Sequence, residues 1–127
     1  MSLPTEADWE YAARAGSPAS RYGDLDKIAW YSGNSGGKTH EVAQKNPNAF
    51  GLYDMLGNVQ QWTADLFGDY TQSAATDPPS PTRGLFRILR GGSWANDPRN
   101  VRASFRARYE PSYRSNSIGF RCAGELP

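Results

Sequence analysis

The segment 84–123, GLFRILRGGSWANDPRNVRASFRARYEPSYRSNSIGFRCA, limits what this chain can fold into more than any other stretch. It opens on Phe86, Ile88 and Leu89 running into Arg90-Gly91-Gly92-Ser93-Trp94, and it closes on Ile118-Gly119-Phe120-Arg121-Cys122. Bulky apolar residues with glycines where chains bend or approach closely predict a short buried strand at each end. Between them Arg99, Arg102, Arg106, Arg108 and Arg114 alternate with small, aromatic and polar residues in no helical or strand period. Such a middle predicts loops on a rigid base, a common arrangement for a ligand-binding face. The expectation is a protein that binds and does not catalyse.

Charge sharpens this. Residues 1–82 carry 5 Lys/Arg against 10 Asp/Glu, whereas 83–127 carry 9 Arg, no Lys and 3 acids. A surface that tracks phosphates usually mixes in Lys, so nucleic acid is not the expected partner. The expected role of the arginines is to brace long loops through bidentate bonds to carbonyls and carboxylates. A chain of 127 residues predicts a single domain over 1–127. With 13% aromatics, 13 Gly and 9 Pro, the core should be loop-rich and anchored by large rings. The sequence reads without a secretory leader or a bilayer-spanning run, and it assigns no compartment. A single cysteine, Cys122, excludes an internal disulfide, and its apolar strand predicts a buried structural thiol. The single His40 sits in a polar loop without a second His, which argues against a metal or catalytic role.

Residues 3–16 predict a helix. Thr5 is placed to cap it, Asp8 stands at the reciprocal capping-box position, Arg14 falls in the last turn and Gly16 is the stop. Trp9, Ala12 and Ala13 share the packing face. Residues 17–48 predict loop, with Ile28 to Tyr31 burying rings and His40 to Ala43 forming a short strand. Gly51 and Gly57-Asn58 mark turns, and Val59 to Trp62 leads into a strand. Ala64 to Arg83 predicts an extended loop stiffened by the prolines of Asp77-Pro78-Pro79-Ser80-Pro81. The Asp54 carboxylate, the Gln61 amide oxygen and carbonyls near Gly57 and Val59 could form an oxygen cage of the kind calcium takes, although one carboxylate is a thin charge count.

Four ordered blocks, LPTEADWEYA (3–12), NAFGLYDMLGNV (48–59), LRGGSW (89–94) and IGFRC (118–122), resemble the formylglycine-generating enzyme (sulfatase-modifying factor) superfamily. The resemblance implies an α+β, C-type-lectin-like fold: loop-rich, with a small antiparallel sheet and one or two helices. It also maps the superfamily's second calcium site onto Asp54, Gly57, Val59 and Gln61, so a bound calcium is an expectation and no cofactor is required. Two departures matter. Superfamily members usually have a long segment before the LPTE helix, so this chain is expected to be a fragment or minimal version, or to need a second copy covering an exposed edge. The oxidase carries two cysteines after its GGS motif that bind copper and react with substrate; the matching positions here are Asn96 and Val101. An amide and an isopropyl group form no thiolate and bind no soft copper. The related sulfoxide synthases use a histidine-ligated iron, and this chain has one His.

A closer likeness is to the variable proteins of diversity-generating retroelements, in which a lectin-like scaffold presents a C-terminal region mutated at adenines. Ala95, Asp97, Phe105, Ala107, Tyr109, Ser112, Tyr113, Ser115 and Ser117 all belong to the residue set that such mutation reaches. They fall between framework-like Trp94, Pro98, Arg99, Val101, Arg102, Arg106, Arg108, Pro111 and Arg114. An ordinary cysteine-less paralogue fits the same residues. The expected site is therefore a ligand-binding face of Ala95, Asp97, Phe105, Ala107, Tyr109, Ser112, Tyr113, Ser115 and Ser117 with Trp94 as its floor, open to protein, peptide or glycan. An oxidase and a structural module of a larger protein are the alternatives.

Overall fold

The computed structural model describes residues 1–67 and 86–125. Their elements run α1 (Glu6–Arg14), α2 (Leu25–Ile28), β1 (Gln60–Leu66), β2 (Arg87–Arg90), a one-turn 3-10 helix (Pro98–Asn100), β3 (Arg106–Tyr109) and β4 (Ile118–Gly119). The four strands form one sheet in the order β3-β2-β1-β4. β1 pairs antiparallel with β2 and parallel with β4, and β2 pairs antiparallel with β3. The result is the loop-rich α+β architecture expected, except that the parallel β1–β4 pairing makes the sheet mixed and not wholly antiparallel.

Helix α1 starts where Thr5 accepts a hydrogen bond from Asp8 N, satisfying one orphan donor of the first turn. It ends at Ala15 in the left-handed region, one residue before the expected glycine. Asp8 makes no return bond among the described residues, so only half of the capping box forms. Trp9 and Ala13 are buried and Ala12 packs at the edge of the same core, which also contains Ile28, Ala29, Met55, Leu56 and Val101. Burial of each large side chain there supplies about 1.5–3 kcal/mol.

Register assigns the two faces of the sheet. Gln61, Arg90 and Arg106 are cross-strand partners, as are Trp62, Leu89 and Ala107, and successive side chains along a strand point to opposite faces. The first trio faces α1: Trp9 Nε1 donates to Gln61 Oε1, while Arg90 and Arg106 both bond to Glu6. The second trio, with Tyr109, faces the other way.

Several expectations need correction. Residues 40–43 form no strand; their polar groups are taken by side chains, His40 N donating to Asn58 Oδ1 and Ala43 N to Asp54 Oδ2. The irregular middle contains a real strand, β3, and the 3-10 turn. Ala64–Leu66 belong to β1 and not to a loop; Phe67 follows the strand, and 68–83, including 77–81, lie outside the described residues. The closing strand is shorter than expected, two half-buried residues, with Phe120 exposed beyond it. Cys122 is exposed, not a buried thiol, because the chain has left the sheet before reaching it. In 28–31, Ile28 and Ala29 are buried, but the rings of Trp30 and Tyr31 are only half-buried.

Candidate functional site

The C-terminal segment is anchored first by its glycines. Gly91 (φ 99°) and Gly92 (φ 70°) are left-handed, and a Cβ on them would lie 2.6 Å from Met55 O and 2.6 Å from Asn100 O respectively. No other residue fits that close approach without strain. The turn they create delivers Trp94, whose N–H donates to Asn58 O (2.9 Å), whose Nε1 donates to Asn116 O (3.1 Å) and whose carbonyl accepts from the Ser35 hydroxyl (2.9 Å). Asn58, itself left-handed at φ 64°, also exchanges two side-chain bonds with the His40 backbone. Trp94 thus ties together the segments of Ser35, Asn58 and Asn116.

Asn96 and Val101, the positions matched to the oxidase cysteines, are both committed to the scaffold. Asn96 Oδ1 accepts from Ser93 N (2.8 Å) and the Ser93 hydroxyl (3.1 Å), and its carbonyl accepts from Ser32 N. Val101 is fully buried in the core. Asp97 caps the 3-10 turn and pairs with Arg99 at 2.9 Å; the Arg99 guanidinium holds its carboxyl below the usual range.

None of the sequence-predicted contact residues is buried. Ala95, Ser112 and Tyr113 are exposed, while Trp94, Asp97, Phe105, Ala107, Tyr109, Ser115 and Ser117 are half-buried. Tyr109 and Tyr113 stack with ring centroids 4.7 Å apart and planes 10° apart. The segment 110–117 leaves β3 on one edge of the sheet and enters β4 on the other, so it passes two strands. It does so on the helix-free face, because Tyr113 lies on Tyr109. A backbone turn from Tyr113 N to Glu110 O secures its start, and the Ser115 and Ser117 hydroxyls, 2.9 Å apart, secure its end. Register separates the predicted set into two clusters. The tyrosine pair is beside Arg87, at the opposite end of β2 from Trp94, Ala95, Asp97, Ser115 and Ser117. Arg87 and Arg90 alone are roughly 10 Å apart along the strand. Phe105 precedes Arg106, the partner of Arg90, and so lies toward the Trp94 end of β2, with the Arg102 guanidinium 5.5 Å from its ring.

The arginines brace, as charge patterning suggested. Arg90, 2% exposed on its side chain, bonds Glu6, Glu10 and the Ala103 carbonyl. Arg106 pairs with Glu6, Arg87 bonds Ala64 O, Arg99 pairs with Asp97, and Arg102 bonds Arg99 O. Arg108 lies 4.3 Å from the Phe67 ring. Sequence reasoning missed one member of this group, Arg121, which donates to Gln61 Oε1, Tyr53 O and Asp54 O.

That last contact bears on calcium. Asp54, left-handed at φ 56° and 6% exposed, uses Oδ2 for Ala43 N, while Oδ1 is buried with no partner. The carbonyls of Gly57 and Val59 accept nothing among the described residues. Asp54, Gly57 and Val59 all line one cavity of about 430 Å³, which Arg121 also lines; oxygens of this kind are what a hard cation takes, although the guanidinium already brings a positive charge there. Gln61 does not fit: its Oε1 already accepts from Trp9 Nε1 and Arg121 Nε, and its Nε2 donates to Asp54 O and Met55 O, which uses both lone pairs and both protons. Among the described residues no cluster of three or more His, Cys, Asp or Glu forms a metal site.

Comparison with known proteins follows the same lines. The chain matches the sulfatase-modifying factor enzyme 1-like domain over residues 1–126. It is 40% identical to the serine/threonine-protein kinase pkn1 of Chlamydia pneumoniae over 129 residues, 98% of this chain and 21% of that protein. To the formylglycine-generating enzyme of Streptomyces coelicolor it is 35% identical, over 97% of this chain and 46% of that one. Among solved structures, Treponema denticola variable protein 1 superimposes with a TM-score of 0.84 at 42% identity, covering 93% of this chain and 45% of that one. PvdO from Pseudomonas aeruginosa gives 0.81 at 35% identity, covering 93% and 50%. This chain therefore spans between about a fifth and half of the length of these relatives. A match over nearly every residue, with the fold described above, places the chain in the formylglycine-generating enzyme (sulfatase-modifying factor) family, with its α+β, C-type-lectin-like fold.

Proposed function

We propose that this domain is a non-catalytic binding module that displays its C-terminal segment on a lectin-like scaffold. The observation that carries the reading is the placement of Tyr109 and Tyr113: a stacked pair, one half-buried and one 47% exposed, on the helix-free face of a braced sheet. Rigid aromatics beside short polar residues are what paratopes use, anchoring with low entropy loss while neighbours adapt. Ser112 is the short polar neighbour in the same turn, whereas Ala95, Asp97, Ser115 and Ser117 with Trp94 as floor form a second patch at the other end of β2, and Phe105 and Ala107 complete the adaptable set. The likeness to a variable protein of Treponema denticola supports exchange at those positions. A near-identical template copy of the region after Trp94, beside a reverse transcriptase in the DNA, is the expected genetic signature.

The oxidase alternative lacks its chemistry here. Asn96 and Val101 are bound into turn and core, and the one thiol, Cys122, lines a separate cavity beside Leu3, Pro4 and Trp9. Replacing Tyr109 and Tyr113 together by Ala is expected to leave the melting temperature nearly unchanged and to abolish capture of peptides selected on the wild-type domain. Measurable copper-dependent oxidation of a cysteine-containing peptide would contradict the reading, and a structural module would capture no ligand at all.

Calcium, in this reading, is held by Asp54 Oδ1 and the Gly57 and Val59 carbonyls, and it ties the 54–59 turn without touching the binding face. With one carboxylate its affinity is weak. Millimolar calcium is expected to raise the melting temperature slightly, and Asp54→Ala to remove that response; a wild type indifferent to calcium contradicts the assignment.

A further inference from the structure

Every described arginine after Gly84 has a structural use except one. Arg87, Arg90, Arg99, Arg102, Arg106 and Arg121 bond carbonyls or carboxylates, and Arg108 packs on Phe67 and Phe86. Arg114 is exposed and has no partner among the described residues. Its position is not casual. It follows Tyr113 and precedes Ser115, in the short link between the Glu110–Tyr113 turn and the Ser115–Ser117 turn. The backbone is held by a turn on each side, and Arg114 follows directly on the stacked Tyr113 in sequence.

From this geometry we infer that Arg114 is the charged anchor of the binding face, and that the partner is an acidic polypeptide whose carboxylate it engages while the partner's apolar groups rest on Tyr113. This rests on the binding reading above. A guanidinium fork matches a carboxylate with two parallel N–H donors, and Tyr and Arg are the residues that dominate protein interfaces. The tyrosines turn ring faces toward each other, which leaves Tyr113's outer surface and the phenol edges, a flat platform suited to polypeptide. The acid nearest in sequence, Glu110, is exposed four residues before Arg114 and is not bonded to it among the described residues, while Asp97 is paired with Arg99 at the other end of β2.

The test is selection of random linear peptides on the wild-type domain. Binding is then compared for wild type, Arg114→Gln, Arg114→Lys and the Tyr109→Ala/Tyr113→Ala double variant, each first shown to melt as the wild type does. The expected result is enrichment of Asp and Glu in the selected peptides, about tenfold or greater weakening in Arg114→Gln, an intermediate loss in Arg114→Lys, and weakening by salt. Peptides without acidic bias that bind Arg114→Gln normally, yet still need the tyrosines, overturn this inference and leave the binding face standing. Peptides indifferent to both sets of substitutions, or none selected, overturn both readings. Capture of glycans in place of peptides on a mixed array overturns the polypeptide assignment.

Discussion

At the scale of single residues, Arg90 carries the largest share of the structure per atom. Its nearly inaccessible guanidinium joins Glu6 and Glu10 of α1 to the Ala103 carbonyl ahead of β3. Glu6 and Glu10 would keep Arg106 and Arg14, but Arg90→Ala leaves the Ala103 carbonyl without this donor and a hole at a nearly inaccessible side chain, so it is expected to cost about 2 kcal/mol or more by denaturant unfolding. Exposed Arg99, by contrast, pairs with Asp97 in solvent, and Arg99→Ala is expected to change stability by less than about 1 kcal/mol. Tyr22 gives a signature in alkali. Burial pushes its phenol up to about 12, countered by the Leu56 backbone and reinforced by the Asp54 carboxylate. Because the folded value exceeds the unfolded one, the neutral phenol favours the folded state. Its contribution is complete below pH 10 and is lost between the ordinary value and about 12, as the unfolded chain ionises first. A decline of roughly 2–3 kcal/mol across that window, absent in Tyr22→Phe, is the expected result. At the acid end, burial pushes Glu10 up, but hydrogen bonds from Arg90 and Arg14 outweigh it and hold it below its ordinary value. That contribution is present above the ordinary carboxylate range and fades as pH falls through the folded value.

At the scale of elements, legibility followed how local the determinants are. Helix α1 could be read because Thr5, the acids after it, Arg14 and the Trp9–Ala13 stripe are all close in sequence. Strand β2 could be read from its apolar run into two glycines. Strand β3 could not: Arg106-Ala107-Arg108-Tyr109 alternates in period two, but the alternation is between charged and small residues, and its meaning depends on Glu6 and on the Phe67 ring, both distant in sequence. The expected strand at 40–43 failed for the converse reason. Two side chains, from Asn58 and Asp54, took the backbone groups a neighbouring strand would have used. Within the candidate site, the small and polar character of most of its residues agrees with none of them being fully buried, although only Ala95, Ser112 and Tyr113 are exposed. Division of that set between two ends of β2 was not legible, since register is a property of paired strands. The turn that separates β2 from Trp94 needs glycine: Gly92→Ala meets both a left-handed φ of 70° and the Asn100 carbonyl. It is expected to cost more than about 1 kcal/mol and to lower the melting temperature.

For the whole molecule, the division of labour is between two faces of one small sheet. One face is closed by α1 and by an ion-pair network of Glu6, Glu10, Arg90 and Arg106. The other carries the crossing segment 110–117, which the binding reading proposed above makes the displayed part. The most direct measurement combines thermal melting and peptide capture on the Tyr109→Ala/Tyr113→Ala variant. Melting close to the wild type, with capture abolished, is the predicted outcome. A collapse of the melting transition, or capture that persists undiminished, would contradict the claim that this face exists to bind.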